Sequence, residues 1–330
     1  MRVLILGGTR FIGRAVAEEL HGAGHDLCFV HRGRTEPPDL PPGEHVHVDR
    51  ADIAGRRREL EAFEPAALVD AWAMSRADAD ALVPLAREIP TVVLSSADVY
   101  RAYSSLQRGE QDEPVPLGED SPTRDERYPY SGMDPAEGAK LGVDVRSYEK
   151  LDVEEAYLAA RATVLRLPFV FGERDPQRRE DFVLRRVRAG RAQIPIGTAS
   201  TLFTRGYVRD VARGVRRALE TPAARGEVFN LGEPRTVTVR AWAERILAAA
   251  GARTELVPVP DERLPADLAL TAGGIQHLLL DSAKARAVLG YETTDPDEAL
   301  RRSVAWHMAN PPDEPHDDWA EDDRALPARG

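Results

Sequence analysis

Residues 2–13 read RVLILGGTRFIG, an apolar run that leads directly into a glycine-rich turn. After the turn, Ile12, Val16 and Leu20 recur at helical spacing, and a second apolar run follows at residues 26–31. The order strand, glycine turn, helix, strand is typical of a dinucleotide-binding βαβ unit. Glycines allow the backbone to approach a pyrophosphate, and the helix N-terminus directs free N–H groups at that anion. The sequence therefore predicts a dinucleotide site within residues 1–34.

The remaining first half of the chain alternates short apolar runs with helical patterns. Further strands are predicted at residues 46–48, 67–71, 90–94 and 163–167. Alternation of this kind predicts an α/β fold with a doubly wound parallel sheet, the Rossmann architecture. Ligands bind such a sheet at the carboxyl ends of its strands.

The domain organisation follows from where this alternation loosens. We predict a dinucleotide-binding domain over residues 1–172, to which residues 205–232 return. Residues 173–310 are predicted to form mostly a smaller C-terminal substrate lobe. The last segment, residues 311–330, is predicted to be an acidic flexible tail, because residues 313–330 hold seven acids and two arginines.

Composition narrows the class of function. The net charge is −11 over 330 residues, which argues against a nucleic-acid partner and favours a small-molecule substrate. No apolar run is long enough for a bilayer, and no signal-peptide pattern is visible, so we expect no membrane partner and a cytoplasmic location. His45 and His47 share a strand face, but no third ligand stands nearby in the sequence, so no metal site is predicted.

Several later motifs form an ordered series. They read LSSADVY at 94–100, Lys150 followed by Glu154, RLPFVFG at 166–172, RGYVRDVA at 205–212, FNLG at 229–232 and KARAVLG at 284–290. With the glycine turn, this series resembles the extended short-chain dehydrogenase/reductases, the NAD-dependent epimerase/dehydratase group. The resemblance covers about residues 1–310. The GGTRFIG form of the turn resembles an atypical branch that includes the chloroplast stem-loop-binding proteins.

This resemblance implies a set of cofactor-binding residues. Asp49, Arg50 and Trp72 resemble adenine-side and phosphate-side contacts, with ordinary strand-end packing as the alternative. The full implied set is Gly7, Thr9, Arg10, Phe11, Ile12, Gly13, Arg32, Arg34, Asp49, Arg50, Trp72, Lys150 and Phe169.

The choice of cofactor depends on two departures from the family pattern. Arg10 replaces the middle glycine of the turn, and the second strand ends in His31-Arg-Gly-Arg34 where NAD users commonly carry an acid. Arginine offers a phosphate paired donors and a fixed charge, so Arg10, Arg32 and Arg34 favour NADP over NAD. The alternatives are a solvated basic turn and NAD as the cofactor.

The catalytic residues that the resemblance implies depart further from the family pattern. The family places tyrosine four residues before its lysine, but four residues before Lys150 stands Arg146. Tyr148 lies only two residues before, about 200° around an ideal helix, and can serve only if the chain there is not yet helical. Ser96 matches the family's hydroxyl residue that binds the reacting oxygen. Asp98 is interpreted as a general acid or base, or as a loop cap.

Substrate contacts are implied at Tyr100, Tyr130 and Arg205, the last matching an arginine that clamps a diphosphate. The loop of residues 107–144 is predicted to be a weakly packed lid, with Tyr128 or Tyr130 as wall or proton donor; a mere surface excursion is the alternative.

Together these motifs predict an NADP(H)-dependent oxidoreductase or epimerase/dehydratase. The substrate is expected to be small and polar, with sugars and nucleotide sugars included, and to react at a secondary alcohol or carbonyl. The alternative is a non-catalytic NADP-binding regulator or scaffold with a degraded catalytic pair. The resemblance also implies a homodimer.

Overall fold

The computed structural model describes residues 1–314 and 318–327, with only the backbone given at residues 140 and 141. The strands are β1 (Arg2–Leu6), β2 (Asp26–His31), β3 (Glu44–His47), β4 (Ala67–Asp70), β5 (Thr91–Ser96), β6 (Thr163–Leu167), β7 (Phe169–Phe171), β8 (Gln193–Ile196), β9 (Arg205–Tyr207), β10 (Val228–Asn230) and β11 (Glu255–Pro258). The helices are α1 (Phe11–Gly22), α2 (Arg57–Ala62), α3 (Arg76–Asp80), α4 (Val83–Ala86), α5 (Arg101–Arg108), α6 (Pro135–Leu141), α7 (Lys150–Ala159), α8 (Asp181–Arg188), α9 (Val208–Glu220), α10 (Val239–Ala249), α11 (Ala283–Leu289), α12 (Pro296–Ala309) and α13 (Ala320–Ala325).

Seven strands form one parallel sheet in the order β10-β6-β5-β4-β1-β2-β3. The chain starts inside the sheet with β1, builds outward to the edge strand β3, and then returns to place β4 on the other side of β1. The order therefore reverses between β1 and β4, and ligands of such sheets bind at the carboxyl ends of the strands beside this point. The predicted doubly wound α/β fold is confirmed.

Both faces of the sheet are covered, as the apolar character of β1 requires. Side chains alternate along a strand, so Val3 and Ile5 join the core on one face, while Leu4 and Leu6 join the core on the other. Helices α1 and α9 pack together on the first of these faces. Among the described helices, none has the length and apolar character that crossing a bilayer needs.

The second half of the chain returns to the sheet and also builds a separate lobe. β10 pairs with β6, and α9 packs on α1, so residues 208–230 belong to the sheet layer. The lobe contains the two-stranded pair β8 and β11, with α8, α10 and α12 packed against one another.

The expectation of a flexible acidic tail is corrected for residues 318–327. There α13 packs on the lobe, and its Asp322 is buried against the fully buried guanidinium of Arg186, with two hydrogen bonds of 2.7 and 2.6 Å. The ring of Trp319 lies under the guanidinium groups of Arg185 and Arg191 at 5.6 Å. Asp322 is held in place because it shares the buried guanidinium of Arg186 with Asp267, and a buried charge is stable only when it is paired and hydrogen-bonded.

The expectation that residues 107–144 pack weakly is also corrected. Leu117 in this loop is buried and pairs with Leu280, and Arg124 is buried against Glu149. Helix α5 extends into the beginning of the segment, and α6 lies near its end. The loop is therefore anchored by an apolar contact and an ion pair, and its movement as a lid stays a prediction.

Glu180, beneath α12, should make the stability depend on pH. Its side chain is fully buried, accepts a hydrogen bond from Ser303, and has a pKa raised by burial from 4.5 to about 7. As pH rises, the unfolded chain loses the Glu180 proton near pH 4.5, whereas the folded protein keeps it until about pH 7. The folded state is therefore progressively destabilised relative to the unfolded state between these two pH values. We expect Glu180→Gln to remove that loss, worth up to about 3 kcal/mol.

The measurement is the urea unfolding free energy of wild type and Glu180→Gln at pH 4.5 and 7.5. The advantage of the variant should grow with pH, whereas Glu262→Gln, on an exposed turn, should track the wild type at both values. An equal advantage at both pH values would contradict the assigned titration.

Candidate active site

The four residues predicted to be catalytic meet at the carboxyl end of β5. Ser96 ends this strand, and Asp98 follows in a short turn. Lys150 is the first residue of the adjacent α7, and Tyr148 lies two residues before it. Helix α7 begins only at Lys150. The preceding Glu149 is extended (φ −154°, ψ 98°), and its carboxylate caps the helix by accepting from the Leu151 amide. Tyr148 is therefore outside the helix, the condition on which its role depends.

Asp98 is the centre of the site. Its Oδ2 accepts a hydrogen bond from Tyr148 at 2.6 Å and another from Tyr130 at 3.1 Å. The Tyr130 hydroxyl also lies 2.9 Å from that of Tyr103. The second carboxylate oxygen of Asp98 is buried and has no hydrogen-bond partner among the described residues. Asp98 thus has one oxygen in a chain of three phenols and one oxygen free to accept.

Burial sets the protonation states. Burial raises the pKa of Asp98. Burial and the adjacent Asp98 charge together hold the pKa of Tyr148 well above its usual value, although a contact with the Ser96 hydroxyl acts in the opposite direction. Ser96 also accepts a hydrogen bond from the Asp98 amide. Tyr148 is consequently a neutral phenol that donates to Asp98. A carboxylate with a raised pKa is a better proton acceptor than one in water.

Lys150 is buried beside the Tyr148–Asp98 pair. Its ammonium donates to the carbonyl oxygens of Ala73 at 2.6 Å and Leu94 at 3.0 Å, and burial lowers its pKa to about 8. These bonds tie the start of α7 to the carboxyl ends of two neighbouring strands. An ammonium has three donors, so one N–H remains available for a ligand hydroxyl.

Sequence reasoning missed the layer that supports the site. Arg124 forms a doubly hydrogen-bonded ion pair with Glu149, both side chains fully buried, and its Nε donates to the Asp98 carbonyl at 3.0 Å. Tyr103 was missed as well. The two ends of this ion pair are 25 residues apart across a loop, and no spacing rule relates them. Of the two loop tyrosines, Tyr130 reaches Asp98, whereas Tyr128 is 44% exposed.

The glycine turn fits a dinucleotide. Gly7 adopts a positive φ of 76°, and a Cβ at Gly13 would lie only 2.0 Å from the Gly7 carbonyl oxygen, so only glycine fits there. Helix α1 begins without a side-chain cap and has no acid in its first turn. Its first N–H groups are therefore available to an anion. Trp72, 47% exposed, lies beside the turn.

The other predicted cofactor residues are placed as follows. The side chains of Arg10, Arg32 and Arg34 are exposed, and none has a hydrogen bond or ion pair within the described part of the chain. The remaining turn residues are Thr9, which is buried, and Phe11 and Ile12, which pack against the core. Phe169 is half-buried, with its ring 5.0 Å from that of Phe203.

Four sequence interpretations need correction. Arg50 is committed to the fully buried Asp70 and to Asp78, and Asp49 caps the turn that follows it. These two serve local structure, which was the alternative. Two of the three predicted substrate contacts are buried inside the protein. They are Tyr100, whose hydroxyl donates to Asn230, and Arg205, which stacks on Trp242 and has a pKa lowered by burial to about 10.

Comparison with known proteins identifies the family of this chain. The family model described as "NAD dependent epimerase/dehydratase family" matches residues 3–131 and 146–232, more than half of the chain. A curated relative, the chloroplast stem-loop binding protein of 41 kDa b from Arabidopsis thaliana, is 24% identical over 272 residues. That match covers 76% of this chain and 63% of the relative, so the chain spans less than two thirds of the relative's length.

Solved structures share the fold. A putative epimerase from Burkholderia cenocepacia has a TM-score of 0.71 at 19% identity, with 93% of this chain and 98% of that chain covered. The dTDP-glucose 4,6-dehydratase of Bacillus anthracis, in complex with NAD, has a TM-score of 0.69 at 15% identity, with 94% of this chain and 97% of that chain covered. The UDP-glucose 4-epimerase of Thermotoga maritima, with UDP-glucose, has a TM-score of 0.65 at 19% identity, with 94% of this chain and 99% of that chain covered. The chain belongs to the NAD-dependent epimerase/dehydratase family of the extended short-chain dehydrogenase/reductases.

Proposed function

We propose that this protein is an NADP(H)-dependent epimerase or dehydratase that acts at a secondary alcohol or carbonyl of a nucleotide sugar. The observation that carries the proposal is the Tyr148–Asp98 pair beside Lys150, at the sheet edge that also carries the glycine turn. The substrate class rests on the related fold of proteins named for dTDP-glucose and UDP-glucose.

The proposed chemistry separates a hydride from a proton. When bound, the nicotinamide would supply the acceptor and donor for the hydride of the substrate carbon. The hydroxyl proton passes to the Tyr148 oxygen as the Tyr148 proton passes to Asp98 Oδ2, so the alcohol becomes a carbonyl and one proton rests on Asp98. The reverse transfer restores the alcohol. Ser96 would orient the reacting oxygen, and the remaining N–H of Lys150 would hold a ribose hydroxyl of the cofactor.

A direct test incubates the purified protein and NADP⁺ or NAD⁺ with UDP-glucose and with dTDP-glucose. Absorbance of reduced nicotinamide and NMR of the sugar carbons follow the reaction. We expect an epimerised or dehydrated product, or absorbance of reduced nicotinamide that appears as the sugar alcohol is oxidised. Absence of both with every nucleotide sugar tested would reject this substrate class.

The cofactor preference gives a separate prediction. Arg32 and Arg34 follow the end of β2 with exposed guanidinium groups that have no partner within the described part of the chain, and such groups suit a 2′-phosphate. We expect Arg32→Ala to weaken NADP binding about tenfold, the value of one charge-assisted hydrogen bond, and to leave NAD binding nearly unchanged. Arg34→Ala should act in the same direction.

Calorimetric titration of both cofactors checks this preference. Arg58→Ala, at an exposed arginine on α2, is the matched control for loss of one positive charge. Tighter binding of NAD than of NADP to the wild type would reverse the assignment.

A further inference from the structure

Three histidines meet at the carboxyl ends of β2 and β3. The two strands are parallel, with His31 opposite His47 and Phe29 opposite His45. Residues two apart on a strand share a face, so the register brings His31 to the face that His45 and His47 already share. The loop after β2 adds Glu36. The expectation that no third ligand stands near His45 and His47 is thus corrected by the strand pairing.

The donor atoms are close enough for one ion. The Nε2 of His31 lies 2.8 Å from Nδ1 of His45, and the Nε2 of His47 lies 2.6 Å from a carboxylate oxygen of Glu36. One donor atom from each of the four residues lies within 4.8 Å of the others. Donors around tetrahedral zinc are about 3.3 Å apart, given zinc–ligand bonds of about 2.0–2.1 Å. Small rotamer changes would therefore complete the coordination.

We propose that His31, Glu36, His45 and His47 bind one divalent transition-metal ion, with Zn²⁺ as the best match. Imidazole nitrogens and a carboxylate oxygen are ligands that zinc takes in protein sites. In the ion-free arrangement, protons bridge the two close donor pairs, and the ion takes the place of these protons. The single carboxylate leaves the occupied site with one positive charge.

Surrounding contacts orient the imidazole rings and determine which of the four side chains should bind the ion most strongly. The ring of Phe29 stacks on His45 with a centroid distance of 5.1 Å. The Gly33 amide donates to Nδ1 of His31 at 3.1 Å, so the proton of the neutral His31 ring is on Nε2. Ligation through Nε2 requires that proton to move and the Gly33 contact to be lost. His45, His47 and Glu36 are therefore the stronger ligands, and His31 completes the set.

Among the described residues, no second group of three or more His, Cys, Asp or Glu side chains lies close enough together to hold a metal ion. Cys28, the one thiol of the chain, is fully buried in β2. The four ligands include none of the Tyr148, Asp98 and Lys150 machinery, so the ion site and the proposed reaction are separately testable. Three of the four side chains are exposed on the edge of the sheet, and their replacement by alanine leaves the core intact.

The test uses tag-free protein treated with a chelator and then titrated with Co²⁺, followed by visible absorption, and with Zn²⁺, followed by calorimetry. We expect one ion per chain and the visible bands of a four-coordinate Co²⁺ site. Both His45→Ala and His47→Ala should weaken binding by at least about tenfold, since even residues that only orient a ligand cost this much. His31→Ala should have the smaller effect.

His21→Ala, at an exposed histidine of α1, is the control and should bind as the wild type does. Glu36→Gln keeps the shape of the side chain and should weaken binding if its carboxylate is a ligand. Circular dichroism establishes that each variant is folded. The site is rejected if the wild type binds no stoichiometric ion, or if folded His45→Ala and His47→Ala bind Co²⁺ with wild-type affinity and spectrum.

Discussion

Replacement of Tyr148 by phenylalanine is expected to lower turnover by about 10²–10⁴-fold, the range for loss of a positioned acid–base group. Tyr148 is the only described phenol that joins both the Ser96 hydroxyl and Asp98, at 2.6 Å from the latter. Phenylalanine fills the same space in this buried position, so folding and cofactor affinity should be retained. The loss should therefore appear in kcat rather than in the affinity for cofactor.

Tyr128→Phe is the matched control for this measurement. Tyr128 lies on the neighbouring loop but is exposed, and only its backbone amide is linked to the site, through Glu149. We expect this variant to keep the wild-type rate. Asp98→Asn should resemble Tyr148→Phe, because an amide cannot take the proton that Tyr148 passes on. Full activity of Tyr148→Phe would exclude it as the proton carrier while leaving the family reaction intact.

Removal of Arg124 is expected to have the largest effect on stability. Its guanidinium and the Glu149 carboxylate are both fully buried, so Arg124→Met leaves a desolvated negative charge next to the site. Breaking such a pair from one side costs about 3–5 kcal/mol. That is a large share of a typical unfolding free energy of about 5–15 kcal/mol.

Denaturant unfolding measures this loss. Arg127→Met is the control, because Arg127 pairs with Asp152 at the surface and exposed pairs contribute about 0–1 kcal/mol. Amide exchange should also become faster in residues 109–134 of the Arg124→Met variant, since the ion pair anchors that loop. Equal unfolding free energies for the two variants would contradict the anchoring role.

The alternative of a non-catalytic regulator depended on sequence spacing. Tyr148 and Lys150 are two residues apart, which on a helix would place them on opposite sides. In the structure, Glu149 is extended and caps α7, so the phenol and the ammonium both lie at the end of β5. The extended backbone at Glu149 therefore brings Tyr148 and Lys150 together despite their unusual spacing. The spacing is no longer a reason to regard the catalytic pair as degraded.

What the sequence by itself determined is local. The apolar run, the glycine turn and the helical spacing of residues 2–22 specify a strand, a tight approach and a helix, because each depends on hydrogen bonds and sterics within a few residues. The alternation of such units was enough to predict the parallel sheet. The matching motifs also placed Ser96, Asp98 and Lys150 at one end of it, because parallel strands carry their ligands at their carboxyl ends.

Only the tertiary structure decided the contacts between distant segments. The Arg124–Glu149 pair, the docking of α13 on Arg186 and the burial of Arg205 join residues whose separation in the chain follows no period. The histidine cluster is the clearest case: His45 and His47 are neighbours by sequence, but His31 joins them through the register of β2 and β3. Register is set by the burial of whole strand faces and by packing, and these are properties of the assembled sheet rather than of any one segment.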